Sequence, residues 1–134
     1  MKKSYLVIPA ALTLLAYVCL TGNELSAGFE KNRVYGTARE FIGGLNQRRY
    51  DVCYGFFSDT MKKAMTSEKL ASTLDSVLGS LGGFIRFKGF SASTKKILGQ
   101  NYAICTVKCI YENGPATYTV SLDENLKIGS LYIK

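Results

Sequence analysis

Between residues 29 and 81 apolar positions recur every three or four residues, and beyond Gly83 they alternate, so the chain changes from a helical to an extended period at one point. Tyr35, Ala38, Phe41, Ile42 and Leu45 make one stripe, which predicts a first helix over about residues 29–47. Gly43 and Gly44 weaken its last turn. A second, short helix is expected over residues 50–57, with Cys53, Phe56 and Phe57 turned inward. Ser58-Asp59 then caps a brief turn over 60–64. Thr66 or Ser67 caps a third helix, with Glu68 in the first turn, where a negative charge suits the helix dipole. Leu70, Leu74, Val77, Leu78 and Leu81 mark its buried face, and Gly82-Gly83 ends it.

The extended half opens with a long strand from Phe84 to about Ile97, with Gly89 placed for a bulge. Residues 98–101 turn the chain into a second strand, 102–112, with Ala103, Cys105, Val107, Cys109 and Tyr111 on one face. Asn113-Gly114 is a hairpin signal. In the third strand, 116–122, Tyr118, Val120 and Leu122 alternate with Thr117, Thr119 and Ser121. Asp123-Glu124-Asn125 leads to a last strand, 126–133. The fold class is α+β: three N-terminal helices packed on a curved, antiparallel four-stranded sheet. Phe84, Phe90, Ile104 and Ile110 are expected on the outer sheet face, with Arg86, Lys88 and Lys108 among them.

The head of the chain follows neither period. Lys2 and Lys3 precede 16 uncharged residues, Tyr5 to Leu20. That run fits the apolar centre of an export signal and falls short of the ~20 residues a membrane-spanning helix prefers. Leu25-Ser26-Ala27 ends on a small residue that suits signal-peptidase cleavage. Residues 1–27 therefore read as an export signal peptide or N-terminal membrane anchor, and 28–134 as one domain. Three fates stay open: cleavage before Gly28, retention as an anchor, and lipid attachment at Cys19, for which Val18 is a poor neighbour. Each places the domain outside the cytoplasm, secreted or tethered to the outer face of the cytoplasmic membrane.

Charge adds a weak partner signal. Without Lys2, Lys3 and Glu24 the chain's 17 basic and 10 acidic residues become 15 and 9, a net of +6. Such a surface is drawn weakly to anionic membrane or wall polymer. Its basic residues are not interleaved with aromatics in a nucleic-acid motif, so no nucleic acid is expected. Cys53, Cys105 and Cys109 are an odd number, which does not suggest a disulfide framework. Four residues apart on a strand, Cys105 and Cys109 sit ~13 Å from each other and cannot bridge. Either could reach Cys53; buried free thiols are the simpler reading. With no histidine and no Cys-x-x-Cys pair, neither metal nor cofactor is expected.

The run Ala38-Arg-Glu-Phe41, then Leu45, then Tyr50-Asp-Val-Cys-Tyr-Gly-Phe-Phe57-Ser58, resembles a family of small bacterial domains of unknown function in the nuclear-transport-factor-2-like superfamily. Met61-Lys-Lys-Ala-Met-Thr-Ser-Glu-Lys-Leu70, Gly83-Phe84 and the closing Leu126–Ile133 carry the same resemblance, which spans Gly28 to the C-terminus. It implies a cone, a sheet curled around helices. Its motifs are packing words, so they bear on fold more than on function. The chain departs at Arg48-Arg49, where that family usually has a Gly-Asp-like turn.

The superfamily includes isomerases and dehydratases with an Asp or His base beside a Tyr in the cone mouth. Here histidine is absent, and Glu30, Glu40, Asp51, Asp59, Glu68, Asp75, Glu112, Asp123 and Glu124 fall on helix exteriors, caps and turns. The expectation is a non-catalytic binding or interaction module. Its pocket is lined by Tyr54, Phe57, Cys105, Cys109 and Tyr118 and holds an unknown small apolar ligand or protein partner. The same residues also read as a filled core. Two alternatives stand: an isomerase- or dehydratase-like enzyme of the same cone, and a structural domain forming a homodimer through its outer sheet face.

Overall fold

The computed structural model describes residues 28–134, together with the backbone of Tyr5 and Leu6. The remaining export-segment assignments (Lys2, Lys3, Cys19 and the Leu25-Ser26-Ala27 site) lie outside the described residues.

Helix α1, Lys31–Asn46, buries Val34, Ala38, Phe41, Ile42 and Leu45. Tyr35, placed in that stripe by its spacing, lies half-buried beside it, and Val34 takes the core position. Gly44 is required for packing: a Cβ there would stand 2.9 Å from the Cys53 sulfur. Helix α2 is short, Tyr50–Tyr54, and α3 spans Asp59–Ala64. The sequence suggests only a turn at α3. The Ser58 hydroxyl accepts from the Met61 amide at 3.2 Å, and this cap closes the turn into a helix. Helix α4, Ser67–Leu81, is capped by Thr66 and buries Leu70, Leu74, Val77, Leu78 and Leu81. It stops at Gly82, whose φ of 81° favours glycine and where a Cβ would lie 3.0 Å from Glu112 Cβ.

The sheet is antiparallel, with strands β1 (Tyr5–Leu6), β2 (Phe84–Ile97), β3 (Gln100–Tyr111), β4 (Gly114–Leu122) and β5 (Ile128–Ile133) in the order β1-β5-β4-β3-β2. Four strands form the expected meander, and the two-residue β1 pairs with Tyr132 and Ile133 at its edge. Val107 lies opposite Phe90 and Tyr118, and Cys105 opposite Ala92 and Val120, so the inner face is apolar across three strands. The helices cover that face and share one core with it. A parallel bridge between Phe57 and Ile128 ties the α2–α3 segment to β5, with Ile128 N–H donating to the Phe56 carbonyl at 2.7 Å.

Strand β2 corrects one facing assignment. Its register against β3 shifts twice, between Phe84 and Arg86 and between Phe87 and Gly89. Each extra residue restores an aromatic to the helix side. Phe84, Phe87 and Phe90 form a ladder with centroids 5.0 and 5.3 Å apart, and Phe84 meets Tyr111 edge-on at 5.5 Å. Phe84 and Phe90 therefore do not belong to the outer face. Arg39 seals the ladder with its guanidinium 4.6 Å from the Phe90 ring. Of the residues expected outside, Arg86, Ile104, Lys108 and Ile110 lie on that face, Ile104 only 1% exposed in a row with Ser93, Ser121 and Ser130. The two last hydroxyls bond each other at 2.7 Å.

Cys53, Cys105 and Cys109 are buried free thiols. The Cys53 thiol donates to the Phe41 carbonyl at 3.5 Å. Among the described residues no helix is long and apolar enough to cross a membrane.

Candidate functional site

Polar side chains meet where the C-terminal end of α1 approaches the inner faces of β3 and β4. The alternation of β3 turns Tyr111 inward, and that of β4 does the same for Tyr118. Tyr111 O–H donates to Asn46 Oδ1 at 2.6 Å, and its oxygen lies 2.6 Å from the Tyr118 hydroxyl. A phenol has one proton, so with Tyr111 spent on Asn46, Tyr118 must donate to Tyr111. The chain of donors runs Tyr118, Tyr111, Asn46 and ends there. Asn46 Nδ2 is buried and has no partner. Turning the amide over would reverse the chain and leave both Oδ1 and the buried Tyr118 proton without partners, so the orientation with Nδ2 unpartnered is the better satisfied one. A buried unmade hydrogen bond costs about 1–3 kcal/mol.

Arg48 stands two residues on. Its backbone has φ 61°, the left-handed conformation that glycine usually takes just past a helix end. Its Nη1 donates to the Asn46 carbonyl at 3.3 Å, and its Nε lies 3.5 Å from Asp75 Oδ1. Asp75 on α4 also accepts from the Tyr50 hydroxyl at 2.6 Å. A depression of about 420 Å³ opens beside these groups, lined by Asn46, Arg48, Leu78, Phe84 and the glycines at 79, 82 and 83.

Burial pushes the Tyr111 phenol up to about 12, against the hydrogen bond it accepts from Tyr118, which lowers it. Burial also raises Tyr118 well beyond the ordinary phenol range. Tyr50 is raised by burial and by its bond to Asp75. All three are neutral donors near pH 7. Burial lifts the thiols of Cys53, Cys105 and Cys109 to about 12, so each is a thiol rather than a nucleophilic thiolate. The spare Asn46 amide donor and the Arg48 guanidinium favour an oxygen acceptor at the depression. Among the described residues no group of three or more Cys, Asp or Glu side chains could hold a metal ion.

The residues expected to line a pocket are divided by the structure. Phe57, Cys105, Cys109 and Tyr118 are core, each at most 1% exposed. Tyr54 is half-buried, its ring 5.9 Å from that of Phe57 and 5.4 Å from the Lys62 ammonium. The inner face is thus filled at these positions, and of the five only Tyr118 takes part in the polar cluster. The carboxylates named above are exposed, apart from a half-buried Asp123, and Asp75 alone among them pairs with the cluster. Asn46 and Arg48 were missed. Asn46 is one more polar residue after a helical stripe and carries no sequence signal. Arg48 did carry one, as the point where the chain departs from the Gly-Asp-like turn of the family it resembles.

A family model described as a protein of unknown function (DUF3887) matches residues 38–131. The chain belongs to that family. The match runs from within α1 to β5 and contains every residue of the polar cluster. The NMR structure of a protein from Ruminococcus gnavus ATCC 29149 is similar to this DUF3887 domain, with a TM-score of 0.72 and 23% identity over 82% of this chain and 96% of that one. At that identity the likeness shows the fold alone. No curated protein matches the chain.

Proposed function

We propose that this DUF3887 domain is an extracytoplasmic, non-catalytic binding module that holds a small ligand where Asn46, Arg48, Tyr111 and Tyr118 meet. The observation that carries the reading is the buried, unpartnered Nδ2 of Asn46 at the wall of a depression. A native fold rarely leaves such a donor unmade unless something else completes it. Held protonated by burial, the tyrosines and thiols supply no base, which favours holding over turnover. The basic surface and the apolar head of the chain support placement at the outer side of a membrane.

A fragment titration followed by amide NMR tests the binding half. Binding fragments should shift the Asn46 side-chain amide together with Gly82 and Gly83. Shifts absent from those groups for every fragment would refute it. Cell fractionation tests the location, and full-length protein found only in the cytosol would refute that half.

A further inference from the structure

Resting on that binding reading, we infer that the ligand carries a carboxylate and that Arg48 is the residue that selects it.

Three observations point the same way. The first is the donor surplus. Asn46 Nδ2 has no acceptor, and among the described residues the Arg48 guanidinium spends Nε on Asp75 and Nη1 on the Asn46 carbonyl, with no partner for Nη2. The two donors belong to residues two positions apart that line a depression whose other named walls, Leu78, Phe84 and three glycines, bring no side-chain acceptor.

The second is backbone conformation. Arginine at φ 61° occupies a position where glycine would sit without strain. Its ion pair with Asp75 is between half-exposed groups, 45% and 61%, and such pairs add little stability. Local stability therefore argues for glycine, and a strained residue retained at a concave site points to function.

The third is charge. Asp75 already offsets much of the guanidinium's charge, so a dianionic phosphate would meet a carboxylate at 3.5 Å from the same arginine. A singly charged, planar carboxylate suits the unpartnered Nη2 end of the guanidinium. Leu78 and Phe84 supply an apolar wall for its tail.

The test uses the full chain with benzoate and benzamide, nearly isosteric probes that differ in charge, measured by NMR titration. Benzoate should bind at least tenfold tighter than benzamide. Arg48→Gly should abolish that preference while its melting temperature stays the same or rises. Arg48→Gln keeps the strained backbone and a hydrogen-bonding tip without charge, and should also lose the preference, so a stability change in the glycine variant does not obscure the result. Equal binding of the two probes, or an undiminished preference in Arg48→Gln, overturns the carboxylate inference and leaves a binding site. Binding of neither probe also overturns it, and the binding reading itself falls only if the fragment titration is silent at Asn46 too.

Discussion

Arg48, Leu98 and Leu126 are the described non-glycine residues at positive φ, with values of 61°, 55° and 61°. At Leu98 the cause is the hairpin. Ile97 pairs with Gln100, so Leu98 and Gly99 alone make the turn, and both take left-handed conformations. Asparagine or glycine is the usual first residue of such a turn. Leu98 is also fully exposed, so its side chain contributes no burial. Leu98→Asn should therefore raise stability by about 0.5–1 kcal/mol, read from the urea midpoint, because the strain of a branched residue is relieved. A lower midpoint would mean that the leucine contributes to the folded state. The turn's place was legible in the sequence, but its two residues were not. Gln100 and Asn101 look like turn formers, yet the ladder of two long strands carries pairing through them. At Arg48 the same relief predicts that glycine leaves stability unchanged or raises it by up to ~1 kcal/mol, since the surface ion pair lost is worth less.

Helix α1 is joined to β3 and β4 through the tyrosine–asparagine chain, and the order of donors makes its links unequal. Tyr111→Phe removes the middle group and strands both the Tyr118 proton and Asn46 Oδ1. Tyr118→Phe removes only the first donor and leaves the Tyr111 bond to Asn46 intact. Denaturant unfolding should show a loss of about 2–4 kcal/mol for Tyr111→Phe against about 1 kcal/mol for Tyr118→Phe. Equal losses would contradict the direction assigned to the chain. Helix and strand periods made the elements legible, because packing one face against a sheet demands the very repeats that the sequence carries. Facing within β2 was not legible. An inserted residue exchanges every later side chain between faces, and nothing in Phe-Ile-Arg-Phe-Lys-Gly-Phe tells one bulge from two. The burial of the outer serine row was equally hidden, since alternation with threonine and serine looks solvent-facing.

Across the whole domain the buried titratable groups share one sign. Cys53, Cys105, Cys109 and Tyr111 are each raised to about 12, and Tyr118 is raised further, all chiefly by burial. In the unfolded chain the thiols ionise from about pH 9 and the phenols from about pH 10. Above those values the unfolded state holds fewer protons than the folded one, so stability falls as pH rises. Unfolding midpoints should stay level up to about pH 8 and drop steadily between pH 9 and 12. A midpoint flat through that window would show that these groups are solvated. By the same burial, thiol reagents at pH 8 should label the three cysteines only as fast as the domain opens. Rapid labelling under native conditions would contradict the packing. Beyond equilibrium, the buried sulfurs set a deadline. Four residues apart on β3, Cys105 and Cys109 are held away from each other once folded, yet in an unfolded chain that short separation favours their meeting. A bridge formed then would double back the segment that must become the centre of the sheet. In an oxidising compartment the strand must therefore extend before it oxidises, and the yield of folded domain becomes a race between zippering and air.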